Sequence, residues 1–476
     1  MPQENHKFDS RWTIAALLII AALAGAIFIN MEYTDDTILT STDSINIDNG
    51  ELKINWEQYP IYNIELTESL TIAKSGIYHL TGSLSDGSVL INAGSDGVVK
   101  LILDDVHIKN SSGPAISCIN GDDLVIELVG ENYLEDSKKY ADDLDEDIKG
   151  AIYSKADLSF LGSGELTVIA NYQDGIVSKD DLKFNSGTYH ITATDDGIRG
   201  KDSVYIVGGT FDIASRGDSI KSTNETDAGK GFVLIENGNI TISSGDDGIH
   251  AMRILTIQNG TIDIIKSYEG LEAPKININN GNISIVASDD GINAGNGSDD
   301  AKSNTFAGDA NCELIINGGD IYVNASGDGI DSNGYIYFND GKVVVDGPTN
   351  NGNGALDAGI GIFMNGGEVI AVGSSGMAES LGNSSNIYNI SIYFPTSQSA
   401  NTKIEIKNSD SESIITHTSA KAFTHLAAGS AYFKLGETYT IFLNGEEYQT
   451  FTISDTVTTV GNSATNNTMP PGGRRP

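Results

Sequence analysis

The chain has 476 residues, with 65 acidic and 28 basic side chains, a net charge of −37, and 54 glycines against 9 prolines. A surface this negative repels nucleic acid and anionic lipid and attracts cations, so a nucleic-acid-binding role is excluded. The 2 cysteines stand 194 residues apart (312 − 118), which leaves no disulfide framework, and the short alternating Ile, Val and Leu runs favour a folded β protein over a disordered polyanion.

Lys7 and Arg11 precede 18 uncharged residues, Trp12 to Ile29. As a helix these would span about 27 Å, close to a bilayer core. Residues 1–30 are therefore expected to be a signal anchor or signal peptide. The uncleaved anchor is preferred over cleavage at Ala22-Leu23-Ala24, because apolar residues continue to Ile29. Either way the remainder is exported, to the cell surface or beyond, with the basic residues staying inside. Residues 31–110 hold alternating runs such as Ser69 to Leu80 and Val98 to Leu103. They are expected to form an N-terminal β cap and first irregular coils, because an open end of stacked strands must be covered against edge pairing.

From 111 to 382 the chain repeats. Ser-Gly-Asp-Asp-Gly-Ile-His (244–250) returns as variants at 194–200, 288–294 and 326–332. Aligned on the second acid, the copies are Asp174, Asp196, Asp218, Asp247, Glu269, Asp290 and Asp328, at intervals of 22, 22, 29, 22, 21 and 38. The long intervals carry insertions at 224–230 and 296–304. Each unit holds three short extended runs, as in 248–252, 254–258 and 261–267, with Asn259-Gly260 as a turn. Three strands in ~22 residues fit one turn of a parallel β-helix, each strand pairing with its equivalent ~4.8 Å away. Leucine-rich repeats share the length, but their Leu/Asn signature is missing. The predicted fold is all-β, a parallel β-helix of three strands per coil. Asn237, Asn259, Asn280, Asn317 and Asn365, each before Gly, are expected to stack from coil to coil as structural residues.

Strand alternation then assigns side chains. Ile176, Ile198, Ile220, Ile249, Leu271, Ile292, Ile330 and Leu356 point inward, followed two residues later by a small inward column from Ser178 to Ala358. The outward column between them reads Tyr153, Val177, Arg199, Lys221, His250, Glu272, Asn293, Asp331, Asp357. It is the candidate carbohydrate-binding surface, with Tyr153, Arg199, Lys221, His250, Glu272, Asn293 and Asp331 as its contacts. Cys118 and Cys312 fall about seven coils apart, roughly 35 Å. A disulfide needs Cα atoms within about 7 Å, so two free thiols are expected.

Stacking acids ~5 Å apart costs about 1 kcal/mol per pair in water and several at lower dielectric. A hard divalent cation would offset this, since Ca²⁺ takes about six to eight oxygens in flexible geometry. The doublets Asp195/Asp196, Asp246/Asp247 and Asp289/Asp290 are the leading metal ligands, with Asp174, Asp218, Glu269 and Asp328 next. The competing reading is that these acids only cap turns. Asp143, Asp145 and Asp147 imitate the start of an EF-hand loop, but Ile148 stands where its Gly belongs, so a solvated acidic loop is expected. No Walker loop, zincin helix or Cys/His metal pattern is present. Arg199, Lys221 and His250 form the one basic patch that a lyase could use.

Residues 383–461 drop the repeat. Runs at 387–394, 402–407, 438–443 and 448–453, with Asn444-Gly445 between the last two, predict a small antiparallel C-terminal β cap. Residues 462–476 are expected to be a disordered tail. The DDGI phrases, Phe433-Lys-Leu-Gly-Glu-Thr-Tyr-Thr-Ile441, the Thr452 to Gly461 segment and the Pro-Pro-Gly-Gly tail resemble an exported carbohydrate-binding β-helix family. The clostridial type of that family binds cellulose and pectic polysaccharide and carries calcium. The resemblance, over roughly 50–472, implies a right-handed parallel β-helix, bound Ca²⁺ on the DDG turns and surface display. The function expected is a cell-surface, calcium-containing protein that binds cellulose- or pectin-like polysaccharide without cleaving it, as a monomer held to the membrane by its N-terminal helix. The alternatives are a Ca-dependent pectate-type lyase and a structural surface or adhesin protein.

Overall fold

A computed structural model of the chain describes residues 54–295 and 308–461. The anchor or signal expected at 1–30, the tail expected at 462–476 and the insertion at 296–304 lie outside the described residues. Every described residue belongs to one compact unit, Asn46–Pro476. No described helix is long and apolar enough to cross a membrane.

The predicted coil grammar appears strand by strand. In the coil after Asp247 the strands are Ile249–Ala251, Ile254–Ile257 and Thr261–Ser267. Each pairs in parallel with its equivalent one coil on: Ile249 with Leu271, Ile254 with Lys275 and Thr261 with Asn282. Three long parallel ladders result. The first has 12 strands, from Leu70–Ile72 to Leu356–Ala358. The second runs from Ile61–Leu66 to Gly361–Met364 and the third from His107–Lys109 to Glu368–Gly373. The long strand Gly76–Leu84 belongs to both, pairing Ile77 with Lys100 and Ser83 with His107. The protein is thus all-β with long parallel sheets, compatible with a parallel β-helix. The strands within 61–109 already pair with the coils that follow, so this stretch supplies full coils.

Inward positions of all three ladders fuse into one core. Ile176, Ile198, Ile220, Ile249, Leu271, Ile292 and Ile330 are fully buried, and Phe160 stacks on Phe184 at 4.9 Å while Tyr189 stacks on Phe211 at 4.8 Å. The glycine of the DDGI phrase is a close-approach glycine. A Cβ on Gly248 would lie 2.6 Å from the carbonyl oxygen of Gly270 on the next coil, with the Ile264 side chain against it. At the second turn the requirement is conformational: Gly260 has φ 118°. Cys118 and Cys312 are free and buried, as expected.

The expected asparagine column is displaced by one residue at some coils. The ladder runs Gln258, Asn279, Asn317, Asn339, Asn365, Asn386, each amide donating to the preceding side-chain oxygen at 2.8–2.9 Å. Asn317 and Asn365 belong to it; Asn237, Asn259 and Asn280 do not. From Gln258 to Asn365 the position that stacks is two residues before a positive-φ glycine, whichever residue directly precedes that glycine; Asn386 ends the ladder without one.

Beyond Glu368–Gly373 the third ladder turns antiparallel. Phe423–Ser430 pairs with Glu368–Gly373 on one side and with Asn389–Gln398 on the other. The run expected near 387–394 therefore extends the coil sheet. The separate antiparallel sheet is made of Ser413–Thr418, Lys403–Lys407, Thr438–Leu443 and Glu446–Thr452. Its last two strands meet in the expected hairpin, with φ 53° at Asn444 and 85° at Gly445.

Candidate functional site

The repeated acids line one edge of the first ladder, and each serves the next coil. Asp174 Oδ1 accepts the backbone N–H of Asp196 at 3.2 Å, Asp196 that of Asp218 at 3.0 Å, Asp218 that of Asp247 at 2.9 Å and Asp247 that of Glu269 at 3.2 Å. Further on, Asp290 accepts from Asp328, and Asp328 from Gly354. At six of the coils one carboxylate oxygen therefore takes a backbone N–H of the next coil, a shared role for the recurring acid from which Glu269, bonded to the Asn293 amide, departs. The capping role weighed in the sequence holds, on the neighbouring coil rather than within the turn. The first members of the doublets, Asp195, Asp246 and Asp289, lie outside this edge; Asp195 and Asp246 are exposed, and Asp289 is half-buried like Asp290.

The outward column runs beside the acids and splits into two halves. In the first, bases neutralise acids. Arg199 Nη2 is 2.6 Å from Asp174 Oδ2, Lys221 Nζ is 2.5 Å from Asp218 Oδ2, and His250 Nδ1 is 2.8 Å from Glu272 Oε2 and 3.4 Å from Asp247 Oδ2. Burial opposes charge on His250, but hydrogen bonds to Asp247 and Glu272 outweigh it and push its pKa up to about 10. Lys221 is likewise raised: burial pulls it down, and the charges of Asp218 and Asp196 prevail.

In the second half, among the described residues, no basic side chain pairs with Asp290, Asp328, Asp331, Asp357 or Glu379. Burial, then the charges of Asp357, Asp290 and Asp328, push Asp331 up to about 8; burial and Asp328 push Asp290 up to about 7; burial and Asp357 push Glu379 up to about 7. Between the halves lies a cleft of about 120 Å³, lined by the acids Asp218, Asp246, Asp247, Glu269 and Glu272 together with Lys221, His250 and Tyr268. Carboxylate oxygens of Asp247, Glu269 and Glu272 come within 4.8 Å of one another, as do ligand atoms of Asp218, Asp247 and His250. Burial and the charge of Glu272 push Glu269 up to about 9 against the opposing hydrogen bond from Asn293 Nδ2 at 3.0 Å. Burial is the first cause of each rise and the neighbouring carboxylates add to it, so a cation placed among them would relieve the mutual repulsion.

Two expected sugar contacts are corrected. Tyr153 is completely buried and His250 is 7% exposed. Tyr153 lies beneath the loop 136–149, packed with Tyr140, Ile148 and Val177, so alternation puts it on the outer side of its strand but the loop that leads into that strand folds back over it. The 142–149 cluster is no EF-hand: Asp145 and Asp147 pair with Lys155 and Lys179. Glu272 belongs with the acid cluster rather than with a sugar-facing strip. The acids Asp357 and Glu379 were not singled out as ligands, although Asp357 stands in the outward column beside the acid edge, and that adjacency was the available signal. A third recurring phrase, Ser-Lys-Ala-Asp (154–157), Ser-Lys-Asp-Asp (178–181) and Gly-Lys-Asp-Ser (200–203), also escaped notice.

Residues 67–301 match the model of a family described as carbohydrate-binding domain-containing protein. A protein of that description from Acetivibrio thermocellus is 33% identical over 161 residues, covering 33% of this chain and 52% of the relative. The chain thus spans about half the length of the curated relative it matches. A solved structure described as a polysaccharide lyase-like protein from C. thermocellum, in a gadolinium derivative, is 31% identical, covering 42% of this chain and 89% of that one, with a TM-score of 0.41.

Proposed function

We propose that the chain is a calcium-containing carbohydrate-binding protein of the cell exterior that holds polysaccharide without cleaving it. The observation that carries this reading is the overlap of the carbohydrate-binding family match, 67–301, with the charged strip from Asp174 to Asn293. Its coils would be right-handed, by the general preference of parallel crossovers, and residues 1–30 would export it and hold it at the membrane. Asp247, Glu269 and Glu272 bring three carboxylates together within reach of one Ca²⁺, and the acids from Asp290 to Glu379 form a second stretch without a basic partner among the described residues. Bound there, the ion supplies open coordination positions for hydroxyl or carboxylate oxygens of a polysaccharide. A lyase would need a side chain able to take a proton near neutral pH. Lys221 is held protonated chiefly by Asp218 and Asp196, which lie outside the carboxylates assigned to the ion, and this supports binding over cleavage.

The test is a panel of insoluble cellulose, pectic gel and neutral glucans, each with calcium and with chelator. Retention with calcium that chelation abolishes, without release of ultraviolet-absorbing unsaturated uronides, is expected. Release of such products would establish a lyase, and retention on nothing would leave a structural surface protein. Glu269→Gln combined with Asp247→Asn should weaken calcium binding about tenfold or more in a direct titration.

A further inference from the structure

The lysine phrases build a second charged strip at the far end of the same strands. The backbone N–H groups of Lys155, Lys179 and Lys201 donate one coil back to the carbonyls of Cys118, Ser154 and Ser178, and Thr223 donates likewise to Gly200. The four side chains therefore stack in a column at ~4.8 Å spacing. Between this column and its neighbour lies a cavity of about 230 Å³ lined by Val177, Ser178, Lys179, Arg199, Lys201 and Thr223. Three of these six are cations and none is a carboxylate, in a chain of net charge −37. Arg199 is held by Asp174, but Lys201 is exposed and, among the described residues, pairs with no carboxylate.

The first two lysines are occupied from within. Loop 136–149 is pinned by buried Ile148 and by Tyr140, whose ring stacks on Tyr172 at 4.2 Å and whose hydroxyl lies 2.7 Å from Asp136 Oδ2 and 3.0 Å from the Gly150 carbonyl oxygen. Pinned so, the loop sets Asp145 3.0 Å from Lys155 and Asp147 3.7 Å from Lys179. Two carboxylates ride on successive lysines, and the third lysine is bare. A linear chain of acidic sugars running along the stack would present its anions in the same manner, about one ring per coil.

We propose that the pocket between Lys179, Arg199 and Lys201 binds an anionic sugar residue through its carboxylate or sulfate, without a metal ion, and that Asp145 and Asp147 compete with this ligand for the lysine column. Thr223 adds a hydroxyl for a sugar oxygen. The inference rests on the carbohydrate-binding reading, but sets acidic-sugar contact on a strip separate from the acid column.

Titration of the full chain in chelator and low salt, with an oligouronate, a sulfated oligosaccharide and a neutral oligoglucan of matched length, tests it. An anionic probe should bind, and whichever of the two binds more tightly identifies the anion. Lys201→Ala should weaken binding by about fivefold, and Asp145→Asn with Asp147→Asn should strengthen it by a similar factor, both effects fading as salt rises. Anionic binding that needs calcium and ignores Lys201→Ala overturns the site and leaves the carbohydrate reading intact. Loss in Lys201→Ala with no gain in the Asp145/Asp147 double variant overturns the competing loop. Failure of all three probes, with and without calcium, overturns both readings.

Discussion

His425 shows what a lone buried base does to stability. It is 2% exposed, its Nε2 lies 2.9 Å from Ser391 Oγ and its ring rests on Tyr393 at 4.7 Å. With no carboxylate acting on it, burial alone pulls its pKa down to about 4. The unfolded chain takes up this proton from about pH 6.5, so the unfolded state binds more protons between about 6.5 and 4. The stability associated with the neutral ring is complete above about 6.5 and falls away with acid, by about 3 kcal/mol at full protonation. The melting temperature should drop across this range, and His425→Gln, which keeps an acceptor for Ser391, should flatten the drop. An unchanged slope would remove His425 from the account. His250 is the opposite case at the same scale: similarly buried, but placed among Asp218, Asp247 and Glu272, it keeps its proton. Neighbouring carboxylates, not burial, decide which histidine is charged.

At the scale of the element, the coil was legible because two periods coincide. Alternation within a strand fixes inside and outside, and the ~22-residue recurrence of Asp-Gly-Ile fixes which strand pairs with which, so the buried Ile column could be named in full. What stayed hidden depends on loops and pairings that fall outside both periods. Burial of Tyr153 is imposed by a loop that returns over it, and the antiparallel pairing of Phe423–Ser430 has no periodic cue. The asparagine ladder coincides with the conspicuous Asn-Gly pairs at Asn317 and Asn365 but lies one residue before those at Asn259 and Asn280, because there the glycine directly after the Asn is the one with positive φ. The distinction can be measured. Asn317→Ala removes the partner of both Asn279 Oδ1 and Asn339 Nδ2 and should cost about 1–2 kcal/mol in urea unfolding. Asn280→Ala, at an exposed position outside the ladder, should stay within about 0.5 kcal/mol of the parent. Equal costs would mean that the amide ladder contributes nothing beyond the turns.

Over the whole molecule, the coil stack and the antiparallel sheet share an apolar seam, with Ile370 and Val372 packed in one cluster with Ile404, Ile406 and Ile415, and one buried carboxylate bridges them as well. Asp346 ends a strand of the third ladder and is 1% exposed. Its Oδ1 is 2.8 Å from His417 Nε2 and accepts from Ser419 Oγ at 3.1 Å; its Oδ2 accepts from Tyr322 hydroxyl at 2.9 Å and from the Ala420 N–H at 3.1 Å. Lys421 Nζ adds a hydrogen bond to the Asp346 carbonyl at 3.2 Å. Burial works against the charge, but His417 and the other donors hold the Asp346 pKa below the ordinary carboxylate value. The joint is therefore intact above about pH 4 and fails as acid protonates the carboxylate. Asp346→Ala strands four donors at once, and breaking a buried, hydrogen-bonded charge in this way costs about 3–5 kcal/mol. The coils share a continuous Ile core that does not pass through this residue, so the loss should be local. Hydrogen exchange should rise in the strands Lys403–Lys407 and Ser413–Thr418, and protease should cut near 419–421, while the DDGI coils keep their protection. Uniform loss of protection along the whole stack would instead show that the coils and the antiparallel sheet unfold as one cooperative body, with Asp346 an ordinary member of it.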